Sequence, residues 1–316
     1  MKLDKKIALL AVVAVLLCAL YLVWGLNSGN WDYLLAKRMP KLIAILAVGS
    51  AIALASLLFQ TITNNRVLTP SILGLDSVYL FFQTLLIFIF GSAQLTFLSD
   101  NINFLLSTLI MTGFSLLLYK FMFKQNNQNI YFLLLVGIVL GTFFRSAASF
   151  MQMLIDPNEY LHVQDKMFAS FNNVNEYILI VAIAIMLLTL PFIADYIRSL
   201  DVMLLGKDQA VNLGVDYEKI SRRILIIVSI LTAVATALVG PILFLGLLVV
   251  NISFEFLKTY KHTYLLVAGS LLAVIALIGG QLIIERIFNF SVTLSVVINF
   301  VGGIYFVFLL LKERNT

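Results

Sequence analysis

The feature that most constrains this chain is a series of apolar runs, each about the length a helix needs to cross a hydrocarbon core, roughly 20 residues. They lie near residues 7–26, 41–63, 72–92, 101–122, 130–153, 177–197, 223–240, 242–257, 264–284 and 291–311. The runs are continuous, which favours helices over the shorter alternating strands of a transmembrane barrel. Of the 316 residues 61% are apolar and 12% charged, against about 25% charged in a soluble domain. Too little polar surface is left to cover a soluble globule. The chain therefore reads as all-α: a polytopic integral membrane protein of about ten transmembrane helices, with residues 1–316 forming a single membrane domain.

The net charge of +5 would suggest nucleic acid in a soluble chain, but here Lys and Arg sit at the ends of apolar runs, where they set orientation. No nucleic-acid partner is expected. With a cytoplasmic amino terminus, fifteen of the 21 Lys and Arg residues fall on inner segments, among them Lys2, Lys5, Lys6, Lys207, Lys258 and Arg314. Only Lys37, Arg38, Lys41, Lys166 and Arg286 fall outside, and Arg145 lies within a run. Both termini are then cytoplasmic. The first run is too long for a secretory signal and ends Trp24-Gly25-Leu26-Asn27 without a small-residue cleavage pattern, so it is expected to be retained. The single Cys18 allows no intrachain disulfide.

Two connections exceed simple turns. The outer one, residues 154–176, carries Asp156, Glu159, Asp165 and Glu176 and suggests a short surface helix or ordered loop. The inner one, 198–223, has Val202, Leu205, Ala210 and Leu213 at roughly helical spacing, with Gly206 and Gly214 placed to end short helices. Two short cytoplasmic helices are expected there.

No catalytic constellation stands out. His162 and His262 fall on opposite sides of the membrane and are read as surface or interfacial residues, and no His-Glu-x-x-His helix, Gly-x-Ser-x-Gly elbow or phosphate-binding Gly-x-x-x-x-Gly-Lys-Ser/Thr loop is present. No metal site is expected, and the chain alone is not expected to hydrolyse ATP. Ionisable residues within spans cost about 2.5–3.5 kcal/mol at a helix centre and so mark candidate sites. Arg145 shares its run with Ser146 and Ser149 and either faces a water-filled pathway, or snorkels outward or pairs with a backbone carbonyl. Gln60 and Ser149 join it as pathway candidates. Asp76 reads as lying near the inner end of its span and capping or pairing locally. The small residues from Ala44 to Ser56 read as sites of close helix packing, and the Gly302-Gly303 pair either as the same or as a helix break lining a pathway.

Several segments, in order along the chain, resemble the FecCD family, the permease subunits of bacterial iron-siderophore, haem and cobalamin importers of the ABC type. Lys37-Arg-Met-Pro-Lys41 is similar to the family's Arg-Leu-Pro-Arg signature, and Asn64-Asn-Arg-Val-Leu-Thr-Pro70-Ser-Ile-Leu-Gly74 follows, after Gln60, like its Asn-Pro-Leu-Ala…Pro…Leu-Gly pattern. Leu205-Gly206 with Ala210, Leu213, Gly214 and Val215 resembles Leu-Gly…Ala-x-x-Leu-Gly-Val. Gly240-Pro-Ile-Leu-Phe-Leu-Gly-Leu247 resembles Gly-Pro-Ile-x-Phe-x-Gly-Leu, and Gly302-Gly-Ile-Tyr-Phe306 with Lys312 resembles the carboxyl end. Arg66, Val250-Asn251 and Ile304 depart from family prolines or Pro-His, which bears on local kinks. The Asn64–Asp76 version looks closest to a subgroup that imports catechol-type ferric siderophores with a second, non-identical permease.

The resemblance implies a subunit of a binding-protein-dependent importer in the bacterial plasma membrane that takes up a ferric siderophore by alternating access and is not itself an enzyme. Haem or cobalamin is the alternative cargo, and an ion-coupled secondary transporter the alternative class, which would show coupling carboxylates at the midplane. The implied partners are a second permease subunit, two copies of an ABC ATPase holding ATP and Mg, and an extracytoplasmic substrate-binding protein. No cofactor is implied on this chain. By motif match Arg38, Lys41 and Arg286 would dock carboxylates of the binding protein, mere interfacial anchoring being the plainer alternative. Leu205, Gly206, Lys207, Asp208, Gln209, Ala210, Leu213 and Gly214 would contact the ATPase.

Overall fold

The computed structural model describes residues 3–27, 29, 31–95, 99–124, 130–172 and 174–313; Lys2 and Arg314 of the orientation argument lie outside them. The regular structure of the described residues is entirely helical: α1 (Leu3–Val23), α2 (Trp31–Thr63), a 3-10 turn (Pro70–Leu73), α3 (Leu75–Leu95), α4 (Asp100–Lys124), α5 (Ile130–Leu154), α6 (Pro157–Met167), α7 (Glu176–Met203), α8 (Lys207–Asn212), α9 (Tyr217–Val239), α10 (Leu245–Leu257), α11 (His262–Arg286) and α12 (Leu294–Glu313). Each of the ten apolar runs falls on one helix. Among the described residues seven helices, α1, α2, α4, α5, α7, α9 and α11, are long and apolar enough to cross a membrane, and α3, α10 and α12 are shorter apolar helices.

Local chemistry sets the helix starts. Asp156 accepts from the Asn158 N–H with Pro157 at the first helical position of α6, Asn175 caps α7 and Asp216 caps α9; each satisfies N–H groups that a helix start leaves without intrahelical partners. The outer connection forms the expected short helix, α6. The inner one forms one short helix, α8, where two were expected. The difference arises because α7 does not stop at Arg198: no breaker intervenes, and Leu200 and Met203 are fully buried, so packing carries the helix to Met203. Gly206, at φ 98°, then turns the chain into α8.

The core is built around α2, which at 33 residues is about 50 Å long and packs against α7, α9, α10 and α11. Its small residues let neighbours close in: Gly49 lies against Ala273 and Leu277 of α11, and Gly246 of α10 lies so close to Ser56 that a Cβ there would overlap the hydroxyl. This is the close packing the sequence suggested. The start of α2 and the end of α11 share one end of the bundle, where Arg38 and Arg286 both reach Trp24. The end of α2 and the start of α11 share the other, where Thr61 meets His262.

The chain between α2 and α3 is not helical along its whole length, and its 3-10 turn packs on α5. Gly74, at φ 81°, lies against Gly141, and a Cβ on it would sit 2.7 Å from the Gly141 Cα. A left-handed backbone position in van der Waals contact with another backbone admits only glycine. Irregular backbone at this depth is tolerated where protein, not lipid, covers it.

Candidate functional site

At the end of the bundle that carries Trp24, the three sequence-selected cations converge. Arg38 is buried, and its guanidinium donates to the carbonyls of Tyr21 (3.0 Å), Leu22 (3.0 Å) and Trp24 (2.8 Å) while lying over the Tyr21 ring. It completes the carbonyl end of α1, where both open acceptors and the helix dipole favour a cation. Lys41 is also buried; its ammonium donates to the Asn172 side chain at 2.9 Å beside the Phe290 ring. Arg286 is exposed, donates to the same Trp24 carbonyl at 2.9 Å and stacks on the indole. Glu285 beside it accepts from Tyr21 Oη and Gln281 Nε2.

Lys41's partner Asn172 also lines a cavity of about 1320 Å³ formed by residues of α3, α4, α6, the segment after α6, the α9–α10 turn and α12. Its wall is rich in amides and hydroxyls, including Gln83, Asn103, Gln164, Asn172, Asn175 and Thr293, with Asp100, Asp165 and Lys166 at the rim. Gln83 of the wall donates to Asn103, also in the wall, and to Ser107. A polar, largely uncharged cavity continuous with a cationic ledge can admit a hydrated polar solute.

At the opposite end, α8 is an exposed turn bearing uncovered apolar side chains. Leu205 is 58% and Leu213 64% exposed, Lys207, Asp208, Gln209 and Gly214 are also exposed, and Ala210 is fully buried as the foot that seats α8. Gly206 is buried, next to Asn64. Large apolar side chains held out at the two ends of a short, anchored helix suit contact with another protein.

Within the bundle, Arg145 and Ser149 lie on one exposed face of α5, four residues apart, with Arg145 near the helix middle. Gln60 is elsewhere: it is buried near the α8 end of α2, and neither of its side-chain polar atoms has a hydrogen-bond partner. Asp76 is placed differently from the sequence expectation. It is buried at the start of α3 with Oδ1 accepting from Thr236 at 3.4 Å, and Thr236 belongs to the last turn of α9, remote from α8. Because the irregular segment before α3 has already climbed into the bundle, the first turn of α3, and Asp76 with it, starts deep.

His262 also departs from its expected surface position: it is fully buried, with Nδ1 2.7 Å from Asp201 Oδ1 and Nε2 2.8 Å from Thr61 Oγ1, and its backbone N–H donates to the same Asp201 oxygen. Tyr217 donates through Oη to the Ile62 carbonyl at 2.6 Å. Sequence reading did not select Asp201, Thr61 or Tyr217. One signal was available: α11 begins at Lys261-His262 without a capping residue of its own, so its first N–H groups need a partner from elsewhere.

Seven helices fit to cross a membrane, a polar cavity at one end and an exposed apolar turn at the other are the features of a multi-pass membrane permease. The chain belongs to the FecCD transport family, whose model matches residues 5–312. It is 56% identical to the petrobactin import system permease protein YclO of Bacillus subtilis (strain 168), covering 100% of both chains. A second permease of that system, YclN, is 25% identical over 299 residues, 92% of this chain and 90% of its own. Both relatives are named as permeases, not enzymes. Among solved structures, an inward-facing conformation of a metal-chelate type ABC transporter matches with a TM-score of 0.85 at 22% identity, over 98% of this chain and 100% of that one, which is a likeness of fold.

Proposed function

We propose that this chain is one permease subunit of a binding-protein-dependent ABC importer that carries a ferric siderophore across the bacterial plasma membrane. The observation that carries the reading is the 56% identity, end to end, with a permease of a petrobactin import system. Petrobactin is accordingly the first cargo to test. In this reading ten helices cross the membrane, α3, α10 and α12 among them; both termini and α8 lie in the cytoplasm, and the cavity opens outward.

The parts then take roles. A second, non-identical permease pairs with this one, as YclN and YclO occur in one system. Arg145 supports that pairing: a cation near the middle of a span is costly against lipid, so the exposed face of α5 belongs against the partner, lining a pathway with Ser149, where a guanidinium suits an anionic ferric chelate. Gln60 is kept as a further polar position near the inner end. Arg286, with Arg38 and Lys41 behind it, receives the substrate-binding protein. Residues 205–214 receive one of two ATPase subunits, which hold ATP and Mg; this chain holds no cofactor. ATP and binding protein each shift the transporter only through different affinity for its two states.

The test is genetic and direct. A strain lacking this gene should lose growth on ferric petrobactin as its iron source and regain it with the gene restored. Normal growth of the deletion, or loss confined to haem or cobalamin use, would overturn the cargo assignment.

A further inference from the structure

The α8 turn is fastened to the rest of the molecule at both of its ends, and both fasteners reach the last turn of α2. Before α8, Asp201 holds His262 by its ring and its backbone N–H, each at 2.7 Å, and the far side of the ring meets Thr61 at 2.8 Å. After α8, the Tyr217 hydroxyl donates to the carbonyl of Ile62, the next residue of α2, at 2.6 Å. His262, Thr61 and Tyr217 are all buried. Asp201 thereby supplies in trans the cap that α11 lacks, a carboxylate at a helix amino end where the dipole favours it.

We propose that His262 and Tyr217 are positioning residues that fasten the two ends of the coupling segment to Thr61 and Ile62, making the last turn of α2 the point at which a movement of α8 enters the bundle. This rests on the reading of α8 as the ATPase contact. The geometry gives reasons for the choice of α2: its last residues, Ala55 to Thr63, are buried without a break, and the helix packs on α7, α9, α10 and α11. A displacement of its end is therefore handed to four neighbours at once. Buried hydrogen bonds hold such a junction in one arrangement, because leaving their polar groups unpaired away from water is costly. A coupling segment free at either end would swing without moving α2.

Two variants separate the fasteners. Tyr217→Phe removes one hydroxyl and keeps the ring, so it tests the second fastener with little risk to folding. His262→Asn keeps an amide N–H toward Asp201, His262→Gln keeps an amide that can donate to or accept from Thr61, and His262→Ala removes both. In a Cys18→Ser background, spin labels at Val211 and Val267, both exposed, report the distance from α8 to α11 in the chain assembled with its partner permease and ATPase. A narrow distribution is expected for the parent, and broadening for Y217F and H262A. In the same complexes, stimulation of ATP hydrolysis by the binding protein should fall about tenfold in these two, a fall typical of a lost coupling energy, with a partial return in H262N or H262Q. Unchanged distributions in both Y217F and H262A overturn the fastening. If the unsubstituted complex shows no ATP-driven uptake, the proposed function falls instead, and the distances alone decide the fastening.

Discussion

Arg38 and Arg286 share the Trp24 carbonyl yet differ in what they leave open to a partner. Arg38 spends its guanidinium on three carbonyls of α1 and is buried, whereas Arg286 makes one such bond and is exposed. Reversing charge at the two positions should therefore split two effects. Arg38→Glu places an anion against the carbonyl end of a helix in a buried site, and about 3–5 kcal/mol is typical for breaking a buried charged contact; the expected result is a sharply lower melting temperature and yield. Arg286→Glu should leave both near normal and weaken the binding protein by roughly the 1 kcal/mol of an exposed pair, more at low salt than at high. Titration calorimetry at two salt concentrations reads the second effect, and equal affinity for wild type and R286E at low salt would remove Arg286 from the docking ledge. The motif made these cations visible in the sequence. What stayed invisible was their partners, because a carbonyl at the end of α1 or an amide at 172 carries no sequence mark of its neighbour. His262 was read as a surface residue for the same reason: its value lies in Asp201 and Thr61, 61 and 201 residues away.

At the level of elements, hydrophobic run length located all ten apolar helices, because a span must bury a fixed thickness of hydrocarbon. It located the ends less well. α2 starts at Trp31, ten residues before its apolar run, and α7 runs on to Met203, since capping and tertiary packing, not hydropathy, decide where a helix stops. It also missed the depth at which α3 begins, which depends on the Gly74 contact with Gly141. The α8 turn is the element most open to a clean test. Gly214 sits at φ 84° with open space where a Cβ would go, so Gly214→Val introduces only backbone strain, about 1–2 kcal/mol for a non-glycine residue in the left-handed region. The bundle should survive while the turn is redirected. The expected outcome is an assembled transporter whose ATP hydrolysis no longer drives uptake; a normal ratio of iron taken up to ATP consumed would take this turn out of the coupling path.

For the whole molecule, the distribution of charge argues that the chain works as half of something larger. Arg145 is exposed on α5 within electrostatic reach of the buried Asp76, and in the proposed function a partner permease covers this face and keeps the guanidinium from lipid. Arg145→Leu should accordingly be compatible with insertion and pairing, and can even strengthen them, while cutting uptake of an anionic ferric chelate by about tenfold or more, a factor equal to 1.4 kcal/mol. Undiminished uptake by R145L would move the pathway off this face. We propose that the chain is a passage whose energy comes from an ATPase seated on α8. This is tested most directly by sealing the complete transporter in proteoliposomes with labelled ferric petrobactin and binding protein on the cavity side. Uptake should require ATP and Mg on the α8 side. Uptake at the same rate without nucleotide, driven by a proton or sodium gradient alone, would contradict the account.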